Sequence, residues 1–366
     1  MIGIALIGSG RIAQRHADLL GGNQIRGARL VAVCDILKDR AQALGSKHRV
    51  PWYEDMDTMM GSQANSIDVA AVLTPSGLHA DHVVHLAEYK KHIVVEKPMA
   101  LNIDDADGMI RACYLRGIKL FVVKQNRFNL PVQRLRRAVE SGRFGKLVLG
   151  TVRVRWCRRQ DYYDLDAWRG TWAYDGGVLA NQASHHIDLL QWMMGDVQSV
   201  FAKSITALVQ TETEDTAIAA LQFKSGALGI IEATTATRPK DLEGSISILG
   251  ENGSVEIGGF AVNSVKTWLF TNELPEDKEV IEKCSVNPPN VYGFGHQAYY
   301  EHVVDCLNNS AVALVDGIEG RKSVELLAAL YESIETGREI HLRFHPQHCR
   351  LGVRNRISRE TGPTHD

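Results

Sequence analysis

A chain of 366 residues is long for one layered domain, so two are expected, and 45% hydrophobic with 23% charged residues describes an ordinary water-soluble protein with a large core. A formal net charge of −2 argues against nucleic acid or a membrane surface as partner, and no apolar run approaches the roughly 20 residues that span a bilayer. Six scattered cysteines, none in a Cys-x-x-Cys pair, and an N-terminus that enters a strand without a leader pattern point to free thiols in the cytoplasm; the histidines lack ligand spacing, so no metal is expected.

The first apolar run, Ile4–Ile7, has the β-branched content of a buried strand, stops at Gly8-Ser9-Gly10 and is followed by a helix-compatible run from Ile12 to Leu20. This is the strand–turn–helix context of a dinucleotide fingerprint. Gly8 allows the tight turn, Gly10 lets the backbone approach a pyrophosphate, and Ala13 fills the third small position. Arg11 and Ile12 open the helix whose unpaired N–H groups would meet the phosphates. The second strand pattern, Leu30–Cys34, ends in Asp35, which can accept both ribose hydroxyls and repels a 2′-phosphate, so the cofactor is read as NAD rather than NADP. Then come a polar helix (38–48), a short edge strand (50–53), a helical segment (55–60) and a strand (67–73) ending in Thr74-Pro75-Ser76-Gly77-Leu78-His79. A helix (81–89) leads to a strand (92–95) stopping at Glu96-Lys97-Pro98, and a helix (104–116) to a strand (119–123).

Strands alternating with helices at this spacing predict βαβ units and a parallel Rossmann sheet over residues 1–124. Right-handed crossovers bring the C-terminal strand ends to one crevice. Gly8, Gly10, Arg11, Ile12, Asp35, Thr74, Pro75, Ser76, His79, Glu96, Lys97 and, just beyond the last strand, Gln125 are therefore expected around the cofactor. From 125 to 342 the pattern changes to consecutive strands joined by tight turns (147–156, 200–208, 216–223, 227–233, 245–249, 254–257 and 265–270), which predict an open, mostly antiparallel sheet. Helices at 186–194, 297–308 and 318–335 are expected to cover one face of it, giving an α/β plus α+β two-domain chain. Residues 343–366, rich in arginine, read as a solvated, mobile tail.

Lys97 follows a buried strand and precedes Pro98, whose fixed φ stiffens the turn. In a cofactor crevice it could touch both nicotinamide ribose and a substrate hydroxyl, with desolvation lowering its pKa; the alternative is a surface lysine paired with Glu96. Downstream, Asn181, His185 and Asp188 recur at i, i+4 and i+7 and are expected on one face at a helix start, Asp188 orienting the ring. Histidine is a natural base for an alcohol that loses a hydride, although a helix cap with a core histidine fits the same pattern. Between 153 and 169, five arginines alternate with aromatic residues. Arg158, Tyr163 and Trp168, with Arg238 further on, are candidate contacts for an anionic sugar. Alternating arginines on an exposed strand face are the other reading.

Glu96-Lys97-Pro98 after Gly8-x-Gly10, with Gly176-Gly177 through Asn181 to His185, resembles the Gfo/Idh/MocA oxidoreductases over almost the whole span from Ile2 to Leu342. Within that family, 121–127, 168–172, 181–185 and 291–296 are most similar to the UDP-N-acetyl-2-amino-2-deoxyglucuronate 3-dehydrogenases. The resemblance implies Lys97 and His185 as the catalytic pair, NAD as cofactor, and Lys97, Arg158, Tyr163, Trp168, Asn181, His185 and Arg238 around a UDP-sugar acid. It implies oxidation of the 3-hydroxyl of UDP-N-acetylglucosaminuronic acid ahead of surface-polysaccharide (O-antigen) synthesis, in a homodimer or homotetramer. Asn181 stands where many relatives carry Asp, which suits an anionic substrate. Another sugar, inositol or polyol dehydrogenase, or an NAD-binding regulator, remains open at this point.

Overall fold

The computed structural model describes residues 1–285, 293–344 and 349–352; Val291 and Tyr292 of the 291–296 motif, and Arg354, Arg356 and Arg359 of the tail, lie outside the described residues. The first sheet comprises β1 (Ile2–Ile7), β2 (Ala28–Cys34), β3 (Trp52–Tyr53), β4 (Val69–Val72), β5 (His92–Val95) and β6 (Leu120–Val122), all parallel in the order β3-β2-β1-β4-β5-β6. Both faces are covered, which is why the strands read as continuous apolar runs rather than alternating ones. Ile4 and Leu6 meet α1 (Arg11–Gly21) and α2 (Lys38–His48) on one side. Ala5 and Ile7 turn to the opposite side, covered by α3 (Met56–Ser62), α4 (His79–Ala87) and α5 (Ile103–Leu115). The strand order reverses between β1 and β4, so the loops leaving their C-terminal ends part and open a crevice there.

The chain crosses over through α6 (Leu130–Glu140) into β7 (Leu147–Arg155), α7 (Gln160–Asp164) and α8 (Ser184–Met194). Next come β8 (Val197–Ile205), β9 (Thr216–Phe223), β10 (Leu228–Thr234), β11 (Glu243–Gly250), β12 (Gly253–Gly258), β13 (Ser264–Phe270) and α9 (Asp277–Lys283). After α10 (Gly295–Asn308) and α11 (Gly317–Thr336), the short β14 (Ile340–His341) completes an eight-stranded sheet ordered β13-β12-β11-β7-β10-β9-β8-β14. It is antiparallel except where β7 and β10 run together. Val152, Val154, Ile231, Ala233, Ile246 and Ile248 point inward onto α6, α8 and α11, while Phe201, Ile218 and Ile230 remain exposed on the other face.

Two expectations are corrected. The helix expected at 297–308 does not cover the second sheet: Tyr299, Tyr300, Val303 and Cys306 of α10 pack against Ile4, Leu6, Val94 and Phe121 of the first. With α5 on the opposite face, the β5–β6 half would otherwise expose this apolar surface, and α10 returns to bury it. The tail is not free at its start. Leu351 is 2% exposed within the second core, Gly352 N donates to Trp172 O, and Arg350 N donates to Glu335 Oε1.

Candidate active site

The crevice forms a cleft of about 710 Å³ between the two sheets' loops, and all twelve residues expected around the cofactor line it. Gly8 holds φ +95° and a Cβ there would come within 2.8 Å of Leu73 O, so both backbone and space demand glycine. Gly10, by contrast, has nothing within 4 Å of where a Cβ would stand. It caps α1 without a side-chain hydrogen bond, leaving the helix N–H groups directed at open cleft. Asp35 is fixed at the end of β2 by Ser9 N (2.7 Å) and Leu37 N (2.9 Å). His79 ties the other two loops together, with Nδ1 2.9 Å from Pro98 O and Nε2 2.9 Å from Thr74 O.

Lys97 enters the cleft from the end of β5, and its Nζ donates to Asn181 O across it at 3.0 Å. Burial lowers its pKa, opposed by the charges of Glu96 and Asp175 and aided by Arg169. Beneath it, Glu96 Oε2 accepts from Lys97 N at 2.9 Å, and Oε1 lies 3.1 Å from His16 Nε2 and 3.9 Å from His296 Nε2. Burial opposes the carboxylate charge, but the hydrogen bond from His16 and the nearby imidazole of His296 outweigh it and hold Glu96 well below the usual carboxylate range. Tyr300 OH closes the group on His16 Nδ1. The sequence showed no such cluster because its members come from α1, the β5 end and α10.

His185 reaches the same cleft from the first turn of α8, with Nε2 2.9 Å from Gln125 Nε2. Burial pushes its pKa well below the ordinary imidazole value, and Lys97 and Lys124 push the same way, so the ring is neutral. Two expectations about it fail. Asn181 precedes α8 in a turn rather than sharing the helix face, its side chain donating to Asp175. Asp188 does not orient His185 but accepts a bidentate pair from Arg127 (2.8 and 2.8 Å) and a bond from Ser323 (2.9 Å), with Lys124 Nζ at 3.5 Å. A carboxylate buried with a guanidinium within reach pairs with it first, since an unpaired charge there costs several kcal/mol.

The comparisons with known proteins place both halves of the chain in one family. Residues 2–124 match the family model described as oxidoreductase family, NAD-binding Rossmann fold, and 136–342 match that of the same family's C-terminal alpha/beta domain. The chain belongs to the Gfo/Idh/MocA oxidoreductase family. It is similar to the WlbA dehydrogenases of Bordetella pertussis (40% identity, TM-score 0.85, covering 93% of this chain and 98% of that one) and Chromobacterium violaceum (42%, 0.86, 93% and 95%), both solved with NADH and UDP-GlcNAcA. It is also 32% identical over 238 residues to myo-inositol 2-dehydrogenase of Thermotoga maritima, covering 63% of this chain and 67% of that protein.

The residues present suit the family's NAD. Gly10 leaves a space that any side chain would fill, Asp35 stands at the β2 tip, and three buried polar atoms on the lining, Gln125 Oε1, Trp156 Nε1 and His185 Nδ1, have no protein partner among the described residues. The outer rim carries Trp156, Arg158, Tyr162, Trp168 and Arg169. Arg158 is held by Asp241 Oδ1 at 2.9 Å and lies over Trp156 and Tyr162; Arg169 takes Tyr162 OH at 2.8 Å and stacks on Trp168.

Two candidate substrate contacts are displaced from this rim. Tyr163 turns inward, its OH 3.1 Å from Thr235 Oγ1, and its neighbour Tyr162 faces the cleft instead. Arg238 lies outside the lining and braces the rim from behind by donating to Arg158 O and Thr235 O. Arg155 and Arg153 follow the exposed-face reading, paired with Glu232 (2.6 Å) and Glu243 (3.7 Å). Tyr174 and Gln182 also line the cleft and carried no distinguishing spacing in the sequence.

Proposed function

We propose that this chain oxidises the 3-hydroxyl of UDP-N-acetylglucosaminuronic acid to the 3-keto sugar, a step in making nucleotide sugars for surface polysaccharides such as O-antigen. The observation that carries the reading is that Lys97 and His185, from different sheets, line one cleft and are tied into it through Asn181 and Gln125. The likeness to two dehydrogenases crystallised with NADH and UDP-GlcNAcA supports the substrate class. Bound NAD supplies the hydride acceptor; the protein's own work is done at the substrate's 3-oxygen. His185, neutral through burial, accepts the 3-hydroxyl proton, and Lys97 donates a hydrogen bond to the same oxygen as it becomes a carbonyl. An anionic uronate and diphosphate beside His185 oppose the two lysine charges and raise its basicity. Arg158, Trp168 and Arg169 offer guanidinium and aromatic faces to the charged and ring parts of the substrate.

On this reading residues 1–124 hold the cofactor and 125–342 the substrate, in the cytoplasm; among the described residues no helix is long and apolar enough to cross a membrane. The exposed apolar face of the second sheet, with Phe201, Ile218, Leu228 and Ile230, supports self-association into a homodimer or homotetramer. NADH formation on a panel of UDP-GlcNAcA, UDP-GlcNAc, myo-inositol and glucose tests the reading. Turnover with UDP-GlcNAcA well above the others is the expected result, and preference for inositol, which the Thermotoga relative's name would favour, overturns it.

A further inference from the structure

One ion pair crosses the mouth of the cleft at its Asp35 end. Arg40, in the first turn of α2, reaches Asp166 Oδ1 at 2.7 Å, from a residue 126 positions further along the chain. Both side chains line the cleft together with Asp35, Ile36 and Leu37. Asp166 is itself anchored, because its Oδ2 accepts from Arg169 at 3.3 Å and Arg169 is fixed by Tyr162 OH and the Trp168 ring.

An arginine just beyond the second strand is the kind of group that accommodates a 2′-phosphate in NADP sites. This chain therefore carries a cation suited to NADP beside an acid suited to NAD. We propose that Asp166 is a specificity-determining residue: by engaging Arg40 from the substrate half, it withholds a side chain that would reward a 2′-phosphate. Selection for NAD is then made by two acids with different tasks. Asp35 takes the ribose edge and repels the phosphate directly, and Asp166 occupies the cation that would otherwise offset that repulsion. The pair is partly exposed, Arg40 at 43%, so its strength in isolation is small; its effect comes from competing with the phosphate for the same guanidinium. The proposal rests on this cleft being the dinucleotide site.

The test is calorimetric titration of NADH and NADPH into wild type, Asp166→Asn, Asp35→Ser, Asp35→Ser/Asp166→Asn and that double variant with Arg40→Ala added. NADH should bind wild type far more tightly than NADPH, and Asp166→Asn alone should narrow the ratio. In the Asp35→Ser background, Asp166→Asn should tighten NADPH about tenfold or more, the scale of one charge-assisted hydrogen bond, and Arg40→Ala should remove the gain. NADPH affinity that is unmoved by Asp166→Asn in both backgrounds overturns the proposal, and so does a gain that survives Arg40→Ala, since it would then be a bulk charge effect. Failure of wild type to bind either nucleotide overturns the reading of the cleft, and the proposal with it.

Discussion

The two walls of the cleft bury charge in different ways. Under Lys97, Glu96 lies against the imidazoles of His16 and His296. Under His185, Asp188 is held by Arg127 and Lys124, and a guanidinium does not give up its charge. The first wall thus sets two imidazoles against its acid, next to the lysine that would contact the reacting oxygen. The second wall is electrostatically fixed, and it clamps the Gln125–Phe128 turn to α8, so that Gln125 and His185 keep their 2.9 Å separation. Two further acids follow neither pattern. Among the described residues Asp175 and Glu214 are buried without a cation in hydrogen-bond contact, and burial raises them to about 6 and about 7, opposed mainly by backbone N–H donors.

The largest expected effect tests whether the two walls act on one atom. Lys97→Ala and His185→Ala should each lower kcat by about 10²–10⁴ while NADH still binds, the range for a positioned proton-transfer group; a loss below tenfold in both would separate the walls functionally. Next, Arg127→Leu should destabilise the fold by about 3–5 kcal/mol in urea titrations, because Asp188 is left as a buried charge facing the more distant Lys124 and a neutral Ser323 hydroxyl. Glu96→Gln should cost less, about 1.5–3 kcal/mol, since it weakens a charge-assisted hydrogen bond without leaving a buried carboxylate unpaired. A cost equal to that of Arg127→Leu would erase the contrast between the walls.

The acids also respond to pH in opposite senses. Glu96, lowered in the fold, contributes stability that is present above its ordinary value of 4.5 and is lost as pH falls through the folded value. Glu214, raised from 4.5 to about 7, contributes stability that is present below 4.5 and is lost as pH rises through 7. Glu214→Gln should therefore flatten the fall in stability between pH 5 and pH 8 by on the order of 2 kcal/mol, read from melting curves across that range. The smallest effect belongs to Tyr163→Phe, about 1 kcal/mol of stability with KM unchanged, because its hydroxyl is engaged with Thr235. A raised KM would return Tyr163 to the substrate rim.

Much of the nucleotide half was legible because its signals are local. Buried parallel strands read as apolar runs, and Gly8, Asp35 and Lys97 each mark a strand end where a turn begins. The second half was legible as a set of strands but not as a site. Asn181 and His185 have helical spacing, yet the helix starts at Ser184, so the stripe divides between a turn and the first turn of α8. Tyr162 and Tyr163 are adjacent and chemically alike, and only the path of α7 decides which one faces the cleft.

What the sequence by itself determined is the alternation of elements, the glycine turn between β1 and α1, and the lysine and histidine proposed for proton transfer. These follow from backbone sterics and side-chain period, which act over a few residues. The tertiary structure decided which charges meet: Asp188 with Arg127 instead of His185, Glu96 with His16 and His296, and Arg40 with Asp166. A buried or partly buried ion settles on the counter-charge that packing brings within about 3–4 Å, and that distance is set by how the two sheets and α10 come together, which no spacing along the chain records.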